Sequence, residues 1–330
     1  MFDGKKVLIT GGTGSLGKAI TKRLLTTNVD TIRIFSREEW KQVEMQSNFQ
    51  DKRLRYLIGD IRDKERLNRA MEDIDIVIHA AALKHVPIAE YNPFESIKTN
   101  VIGSQNVVDV CLDNNVEIAI AIGTDKAVAP LNTYGATKLL MERTFVSGNY
   151  HKGSHKTKFL CVRYGNVLGS RGSIVPTFLE YAKAGKTFRI TDPTMTRFNI
   201  TMDEALEVIF RGIETGIGGE VFVPKLKAYR LGDLIDVMNE LVHTDVKTEI
   251  SSARQGEKYH ESLISYDEVR TVYESEKDYI LFEDPDQLYS NSKLSTKKTE
   301  LKHQYSSDRV ELLTKGEIKE LLIKENLISV

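Results

Sequence analysis

Short apolar runs alternate with longer amphipathic stretches through the first half of the chain. The runs read as buried strands because they are rich in Val, Ile and Leu, and they occupy residues 6–10, 31–35, 54–58, 74–79, 117–122 and 159–163. Between them apolar residues recur at helical spacing, in residues 18–25, 64–71, 93–112 and 133–149. Such alternation is typical of βαβ units, whose parallel strands are covered by helices on both faces. The sequence therefore predicts an α/β fold with a doubly wound parallel sheet.

The alternation breaks down in the second half of the chain. Residues 165–200 contain glycines, prolines and scattered arginines, a composition typical of loops that cross a cleft. Residues 202–215 predict a helix, and residues 219–223 predict a strand that returns to the sheet. Residues 315–328 show helical spacing again, which predicts a helix near the C-terminus.

This change of rhythm predicts a domain boundary near residue 165. At 330 residues the chain has room for one large domain or two smaller ones. We expect a sheet domain over residues 1–165, completed by a returning segment near 200–223. Residues 166–330 are expected to form mainly a smaller C-terminal α/β domain.

The charge balance excludes broad classes of partner. Lysine and arginine total 46 against 47 acidic residues, so no overall field attracts nucleic acid or a membrane surface. No stretch approaches the roughly 20 apolar residues needed to span a bilayer. Cys111 and Cys161 both lie in apolar runs and are expected to be buried, reduced thiols, which favours a cytoplasmic location.

A glycine-rich turn follows the first predicted strand and opens the first helix. Its sequence is TGGTGSLG, over residues 10–17. Backbone N–H groups at a helix start favour a pyrophosphate, and glycines let it approach closely. The same spacing occurs in simple tight turns, but the strand before it and the helix after it are typical of a dinucleotide-binding (Rossmann) sheet. The residues expected to contact the dinucleotide are Gly11, Thr13, Gly14, Ser15, Leu16 and Gly17.

The end of the second strand bears on which dinucleotide is bound. NAD sites usually place an acidic residue there, whereas this chain has Ser36 and Arg37, with Lys41 one turn later. These three side chains can grip a 2′-phosphate, so we predict NADP. Glu38 and Glu39 oppose a phosphate, and Ser36 with Glu39 also reads as a capping box for the next helix.

The end of the third strand supplies a further candidate contact. Asp60 and Ile61 follow that strand directly and can contact the adenine of the dinucleotide. Asp63, two residues later, reads instead as the N-cap of the next helix.

Polar residues cluster after the fifth predicted strand. Thr124, Asp125 and Lys126 emerge at a carboxyl edge, where ligands bind in open α/β sheets. Thr124 can orient a substrate oxygen, Asp125 can protonate a leaving hydroxyl, and Lys126 can remove a proton next to a carbonyl. An isolated Asp-Lys is usually a surface ion pair. Its place at the end of a buried strand favours a catalytic role.

Tyr134 and Lys138 follow on the next predicted helix. At four residues apart they share one face, and an ammonium together with a nicotinamide charge is expected to lower the phenol pKa. Tyr134 can then take a proton from a sugar hydroxyl as hydride leaves its carbon. The same spacing recurs at Tyr273 and Lys277, which we interpret as accidental because no comparable context precedes it.

Two other groups of side chains are candidates for binding. Arg171, Arg197 and Arg254 lie in loops beyond the sheet and can neutralise a diphosphate, although a single arginine is more often a solvated side chain. His151 and His155 lie in a polar loop without further ligand types nearby, so we predict no metal site.

Together these motifs resemble the extended short-chain dehydrogenase/reductase superfamily. Within it the chain is similar to the soluble UDP-N-acetylglucosamine 4,6-dehydratases, including their configuration-inverting branch. The resemblance runs from about residue 3 to 262. Beyond the glycine turn it is carried by HAAALKHVP at 79–87, TDK at 124–126, YGATK at 134–138, RYGNV at 163–167, RGS at 171–173, Asp192, MTRF at 195–198 and RQGEK at 254–258. The similar dTDP-glucose dehydratases carry Asp-Glu in place of Asp-Lys, and ordinary 4-epimerases lack the pair.

The resemblance implies roles for matching residues. Lys126 would be the C5 base, Asp125 the acid that expels the C6 hydroxyl, and Tyr134 and Lys138 would serve C4 oxidation and the nicotinamide ribose. Ala80 and Val167 would contact the cofactor, and Lys84 would contact both cofactor and substrate. The residues that would contact the UDP-sugar are His85, Asn166, Arg171, Arg197, Arg254 and Glu257. Gly123 stands where relatives often have Ser, and Tyr134 where some have Met.

The reaction implied is an NADP-dependent dehydration of UDP-N-acetylglucosamine. Oxidation at C4 acidifies the C5 proton, elimination gives an enone, and the stored hydride returns to C6, so tightly bound NADP would be recycled in each turnover. With inversion at C5 the product is UDP-2-acetamido-2,6-dideoxy-beta-L-arabino-hex-4-ulose. Residues 1–165 would bind NADP and residues 166–330 mainly the UDP-sugar, in a homo-oligomer. A C5-retaining dehydratase, a UDP-sugar 4-epimerase and a catalytically idle nucleotide-sugar or NADP-binding regulator are the alternatives.

Overall fold

A large mixed sheet with helices on both faces organises the chain. The computed structural model describes residues 1–242, 246–253, 256–282, 284, 286, 288, 290 and 293–328. In the first half the strands are β1 Lys6–Thr10, β2 Thr31–Ser36, β3 Leu54–Ile58, β4 Ile76–His79, β5 Ile118–Ile122 and β6 Lys158–Val162. The helices between them are α1 Ser15–Leu24, α2 Glu39–Asn48, α3 Lys64–Met71, α4 Val86–Tyr91, α5 Pro93–Ile97, α6 Gly103–Asp113 and α7 Thr133–His151.

The second half adds shorter elements. Its strands are β7 Asn166–Val167, β8 Phe188–Ile190, β9 Thr196–Ile200, β10 Val221–Pro224, β11 Ala228–Arg230, β12 Thr248–Ile250, β13 Ser262–Ile264, β14 Val272–Glu274, β15 Asp278–Leu281, β16 Lys297–Lys298 and β17 Tyr305–Ser306. Its helices are α8 Ile174–Lys183, α9 Met202–Thr215, α10 Leu231–Val242 and α11 Lys315–Lys324.

The strand order explains where a ligand can bind. Within the described residues the main sheet runs β16-β14-β15-β10-β6-β5-β4-β1-β2-β3, and the strands from β10 to β3 are parallel. The chain moves outward in one direction from β1 to β3 and in the other from β4 to β10. This reversal between β1 and β4 opens a crevice at the carboxyl ends of the strands. The structure confirms the predicted doubly wound α/β fold.

Each face of the sheet carries its own apolar core. On one face Ile20 of α1, Met45 of α2 and Ile209 of α9 pack against the strands. On the other, Leu67 of α3 and Phe145 of α7 belong to a second cluster, which also includes residues of α6. The strands are buried on both faces, which is why they read as continuous apolar runs in the sequence.

The C-terminal part forms a third cluster. Phe178 of α8, Met238 of α10 and Leu322 of α11 pack together with the small β8–β12 sheet. Strands β11, β9 and β7 form a separate three-stranded sheet. Strands β14 to β16 extend the main sheet in an antiparallel manner beyond β10. The division of function at residue 165 stays a prediction.

Most predicted elements are confirmed within two or three residues. The strands at 6–10 and 54–58 and the helices at 64–71 and 202–215 have the predicted bounds. The predicted strand at 219–223 is found as β10, parallel to β6. The helix predicted at 315–328 ends earlier, at Lys324.

The helix predicted over 93–112 is confirmed over residues 93–113, with a π-helical turn at Lys98–Ile102 between α5 and α6. One local prediction is wrong. The capping box predicted for Ser36 and Glu39 does not form, because α2 begins at Glu39 with Glu38 as an N-cap that has no side-chain bond. Ser36 Oγ instead accepts a hydrogen bond from Gln42 Nε2 at 3.0 Å. Asp63 caps α3 as predicted, since its side chain accepts from the Arg66 amide.

Candidate active site

A cavity of about 1690 Å³ opens at the carboxyl ends of the parallel strands. Its wall includes nearly all residues that the sequence marked as a site: Gly11, Thr13, Gly14, Ser15, Leu16, Gly17, Ser36, Arg37, Lys41, Asp60, Ile61, Ala80, Lys84, His85, Thr124, Lys126, Tyr134, Lys138, Asn166, Val167, Arg171, Arg197 and Glu257. Asp125 is not part of the wall and is only 1% exposed. Arg254 lies outside the described residues.

The glycine turn forms one end of the cavity. Gly11 has φ +67°, and a Cβ there would lie 2.9 Å from Ala81 Cα, so only glycine is accommodated without strain. Gly14 precedes α1 without any side-chain cap bond. The first amides of α1 are therefore not capped by a side chain and suit an anion, as expected for a pyrophosphate.

The two cations expected around a 2′-phosphate are each paired with an acid. Arg37 lies 3.9 Å from Asp60, and Lys41 lies 2.5 Å from Glu38. Arg37 is half exposed at the cavity rim. Both cations line the cavity, but each would have to leave its carboxylate partner to bind a phosphate.

Thr124, Asp125 and Lys126 form a short 3-10 turn after β5. Thr124 caps this turn, and its hydroxyl donates to Asp125 Oδ1 at 2.9 Å. Thr124 itself lines the cavity, so a hydrogen bond connects the buried Asp125 carboxylate with the cavity wall. The Asp125 amide donates to the Tyr164 carbonyl, which fixes the turn against the segment that follows β6.

The Lys126 amine lies among three oxygen atoms. Its Nζ is 3.1 Å from Asp125 Oδ1, 3.2 Å from Asn166 Oδ1 and 3.4 Å from Glu261 Oε1. An ammonium has three N–H donors, so this arrangement suits the charged form. Burial alone lowers the Lys126 pKa, but the Asp125 and Glu261 carboxylates outweigh it and raise that pKa above its usual value. Lys126 is therefore a cation in the free protein.

Two carboxylate oxygens beside Lys126 lack partners. Asp125 Oδ2 and Glu261 Oε2 are buried and make no hydrogen bond within the described part of the chain. A buried carboxylate oxygen without a donor is costly, and such orphaned atoms often mark a site that awaits a proton or a ligand.

Tyr134 and Lys138 lie on α7, but their relation differs from the expected one. Lys138 Nζ donates to the Ile122 carbonyl at 2.6 Å and contacts Met141 Sδ at 2.9 Å. Burial lowers the pKa of Lys138 to about 8. Burial raises the pKa of Tyr134, and the Lys126 charge and the Thr124 hydroxyl oppose this rise. Lys138 is not among the groups that lower the phenol pKa in the free protein, and the lowering expected beside a bound nicotinamide stays a prediction.

Segment 168–173 joins the two ends of the cavity. The Arg171 amide donates to Ser15 Oγ at 3.3 Å, and Lys84 Nζ donates to the Arg171 carbonyl at 2.9 Å. The Arg171 charge also helps to lower the pKa of Glu38. Arg171, expected on the substrate, thus lies against the glycine turn. His85 packs near Gly172, where a Cβ would lie 3.0 Å from the imidazole.

Arg197 is fixed by its own surroundings. It is 9% exposed, donates to the Thr196 and Tyr259 carbonyls, and lies 3.6 Å from Glu257 Oε1. Glu257 Oε2 in turn accepts from the Thr191 hydroxyl at 2.7 Å. One terminal nitrogen of the guanidinium therefore donates to the two backbone carbonyls, and the other lies beside Glu257 at the cavity wall.

Sequence reasoning missed three residues of this site. Glu261, Tyr229 and Lys258 line the cavity around Lys126. Lys258 Nζ donates to the Val128 carbonyl at 2.5 Å. Lys258 is the last residue of the RQGEK motif and Glu261 follows three residues later, which is the one local signal that points to them.

The other sequence candidates lie elsewhere. Tyr273 is part of β14 and Lys277 follows in the hairpin turn before β15, so this copy of the spacing is accidental, as predicted. Across the residues described, no cluster of three or more His, Cys, Asp or Glu side chains could hold a metal ion. No helix found in those residues is long and apolar enough to cross a bilayer.

Comparisons with known proteins agree with this geometry. Residues 7–283 match the family model described as polysaccharide biosynthesis protein. A UDP-N-acetylglucosamine 4,6-dehydratase (inverting) from Campylobacter jejuni is 47% identical over 317 residues, which cover 93% of this chain and 94% of the relative. A protein named UDP-glucose 4-epimerase from Rickettsia rickettsii is 37% identical over 330 residues, covering 98% and 96%.

A solved structure matches along the whole chain. The X-ray structure of Pen from Bacillus thuringiensis superposes with a TM-score of 0.94 at 39% identity, covering 99% of this chain and 100% of that one. The family match spans well over half of the chain. The chain therefore belongs to the polysaccharide biosynthesis protein family and is an enzyme of the extended short-chain dehydrogenase/reductase type.

Proposed function

We propose that this enzyme is an NADP-dependent UDP-N-acetylglucosamine 4,6-dehydratase that inverts C5. The observation that carries the proposal is the Asp125–Lys126 pair, joined at 3.1 Å at the carboxyl edge of β5 and bonded to the Thr124 hydroxyl. Tyr134 lines the same cavity as Thr124 and Lys126, so an acid, an amine and a phenol lie together beside it. The 47% identity to the inverting Campylobacter jejuni dehydratase supports both the substrate and the stereochemistry.

The cavity suits a dinucleotide. The uncapped start of α1 with Gly14, Ser15 and Leu16 would hold the pyrophosphate, and Arg37 with Lys41 would hold a 2′-phosphate. Bound there, a nicotinamide dinucleotide would accept the hydride from C4 and later return it to C6. Lys138, Ala80 and Val167 line the same cavity, which supports their proposed contacts with the cofactor.

The protein's own groups supply the proton transfers. Tyr134, a neutral phenol whose ionised form is favoured by Lys126 and Thr124, would take the C4 hydroxyl proton once substrate and cofactor add their charges. Lys126 must first lose a proton to act as a base. Transfer of that proton to Asp125 along their hydrogen bond gives an amine for C5 and an acid for the C6 hydroxyl in one step.

A UDP-sugar 4-epimerase is the second candidate. The Rickettsia rickettsii relative carries that name at 37% identity, and C4 oxidation by Tyr134 and Lys138 would suffice for it. In that reaction the buried Asp125–Lys126 pair would have no task. Its burial and three-oxygen setting favour the dehydratase.

One experiment separates these functions. The protein is incubated with UDP-N-acetylglucosamine and NADP, without added reductant, in heavy water, and the products are followed by NMR. A 4-keto-6-deoxy sugar with deuterium and inverted configuration at C5 is expected. UDP-N-acetylgalactosamine would establish the epimerase, a retained gluco configuration the retaining dehydratase, and bound nucleotides without turnover an idle regulator.

A variant tests the base. Lys126→Ala is expected to abolish deuterium entry at C5 and product formation while UDP-sugar binding persists. Unchanged turnover would remove Lys126 as the base. Gel filtration and thermal unfolding of the variant control for folding, because its removal leaves two buried carboxylates without their cation.

A further inference from the structure

Glu261 is a buried acid with no structural task of its own. It is 3% exposed and precedes β13 by one residue. Its backbone is held by Ser307, whose hydroxyl accepts from the Glu261 amide at 3.0 Å and whose own amide donates to the Glu261 carbonyl at 2.8 Å. Among the residues that the structure describes, the side chain makes no hydrogen bond that fixes a loop or caps a helix. Its carboxylate contacts Lys126 at 3.4 Å and leaves Oε2 without a partner within the described residues.

The setting of Lys126 shows what such a carboxylate can do. Of the three oxygens around Nζ, the Asn166 amide oxygen cannot take a proton, and Asp125 is the acid that the proposed elimination uses. When Asp125 is protonated it becomes neutral and no longer attracts Lys126 as an anion. Glu261 is then the ionised group that remains beside the amine.

We propose that Glu261 is a positioning residue for Lys126, an inference that rests on the proposed dehydration. Its carboxylate holds the Lys126 nitrogen while Asp125 is neutral, and provides the counter-charge as Lys126 becomes a cation again. It acts through Lys126 and takes no part in bond formation itself.

The proton balance of the elimination agrees with this role. A proton passes from Lys126 Nζ to Asp125, and the amine lone pair then takes the C5 proton. The C5–H electron pair becomes the C5–C6 double bond, the C6–O bond breaks, and the oxygen leaves as water with the Asp125 proton. Lys126 and Asp125 thereby return to their resting charges, and Glu261 is unchanged.

The charge around the pair determines its pH dependence. Besides Asp125 and Glu261, the groups that influence this cluster electrostatically are Lys258, Arg163, Arg197, Tyr134 and Tyr229. The Lys126–Asp125 pair is active while it holds one shared proton. The negative charge of Glu261 keeps that proton bound to higher pH, so it should set the alkaline limb of the kcat profile.

The test compares two variants of Glu261 over a range of pH. Glu261→Gln keeps the shape and loses the charge. It is expected to lower kcat about tenfold and to move the alkaline limb down by about one pH unit or more, with KM unchanged. Glu261→Asp keeps the charge at a shorter reach, and is expected to lower kcat but to retain the wild-type limb. Glu274→Gln, which loses an acid paired with Lys225 and Lys297 outside the cavity, is the matched control and should leave the profile unchanged.

Each outcome decides a different point. An alkaline limb of Glu261→Gln that coincides with the wild type overturns the proposal even if kcat falls, because a packing defect lowers the rate without moving the limb. If Glu261→Gln does not fold, Glu261→Met, which also removes the charge, decides: an alkaline limb moved down by about one pH unit supports the role, and a limb at the wild-type position overturns it. A wild type that makes no 4-keto-6-deoxy sugar refutes the proposed function itself.

Discussion

Arg163 and Glu142 form a fully buried ion pair at the carboxyl end of β6. Arg163 Nε lies 3.0 Å from Glu142 Oε2 and its NH2 lies 2.5 Å from Oε1, so the pair is bidentate. Arg163 follows β6 directly, and Glu142 lies one turn beyond Lys138 on α7. The other N–H groups of the guanidinium donate to the Glu268 carboxylate and the Leu263 carbonyl. The pair therefore ties α7, and with it Tyr134 and Lys138, to the end of β6 and to the segment around β13.

Removing this buried cation should be strongly destabilising. Arg163→Met leaves Glu142 and Glu268 without their partner, and breaking a buried pair in this way costs about 3–5 kcal/mol. The free energy of unfolding from urea denaturation measures the loss. Arg69→Ala, which breaks an exposed pair with Glu72, is the control and should change stability by less than about 1 kcal/mol. Equal effects of the two variants would contradict the structural role of Arg163.

Lys138 should make stability rise with pH in the cofactor-free protein. Burial lowers its pKa from 10.5 to about 8, so between these values the unfolded chain holds a proton that the folded protein has lost. Stability therefore increases as pH rises from 8 towards 10.5, and the cost of burying the charge returns in full below pH 8.

The variant Lys138→Met isolates this effect. Urea unfolding at pH 8 and pH 10 should show that the wild type gains about 2 kcal/mol more than the variant over this interval. Contributions of other groups cancel in the difference. A variant with the same pH slope as the wild type would show that Lys138 is not the group responsible.

Asp125→Asn should separate binding from chemistry. The amide keeps the shape and one acceptor oxygen but cannot accept the Lys126 proton or deliver it to the leaving hydroxyl. Product formation should fall by a factor on the order of 10²–10⁴. Calorimetric titration should give unchanged affinity for UDP-N-acetylglucosamine, because Asp125 is buried and does not line the cavity. A product rate within tenfold of the wild type would remove Asp125 as the acid.

Gly11→Ala should destabilise the glycine turn by more than its backbone strain alone. A Cβ at Gly11 would meet Ala81 Cα at 2.9 Å, in a backbone with φ +67°. Gly153 has φ +56° with open space around its Cβ position, so Gly153→Ala measures the strain by itself, about 1 kcal/mol. Thermal unfolding should show a clearly larger loss for Gly11→Ala, and equal losses would contradict the close approach to Ala81.

The sequence predicts the sheet and its helices well where local signals coincide. The strand at 6–10 is bounded by lysines before it and glycines after it. The helix at 202–215 begins at the Thr201–Glu204 capping box, which the structure contains. The carboxyl-edge rule for parallel strands brings Gly14, Thr124 and Lys126 to one cavity from positions far apart in the chain. These features depend on residues that lie close together in sequence or on a general topological rule.

The remaining features depend on contacts over long sequence distances. Glu261 contacts Lys126 although about 135 residues of chain separate them, and no local pattern encodes such a contact. The surroundings of Tyr134 depend instead on how the chain folds locally: Lys126, eight residues earlier, acts on the phenol, whereas Lys138 one turn away donates to the Ile122 carbonyl. Ser36 bonds Gln42 rather than capping α2, because the backbone at Glu38 begins the helix later than the pattern suggests.

The π-helical turn at Lys98–Ile102 makes helix length a determinant of the site. Such a turn holds more residues than an α-helical one, and here it carries Asn100. The Asn100 side chain accepts a hydrogen bond from the Leu83 backbone N–H and donates to the Leu83 carbonyl and the Thr137 hydroxyl. Deleting one residue here would turn the following residues by about 100° relative to those before the deletion. Lys84 directly follows Leu83, which these hydrogen bonds hold. The position of this cavity-lining cation therefore depends on the number of residues in a helix that supplies no group to the proposed reaction. Insertions and deletions between residues 93 and 113 should accordingly be far less tolerated than substitutions on the exposed face of the same helix.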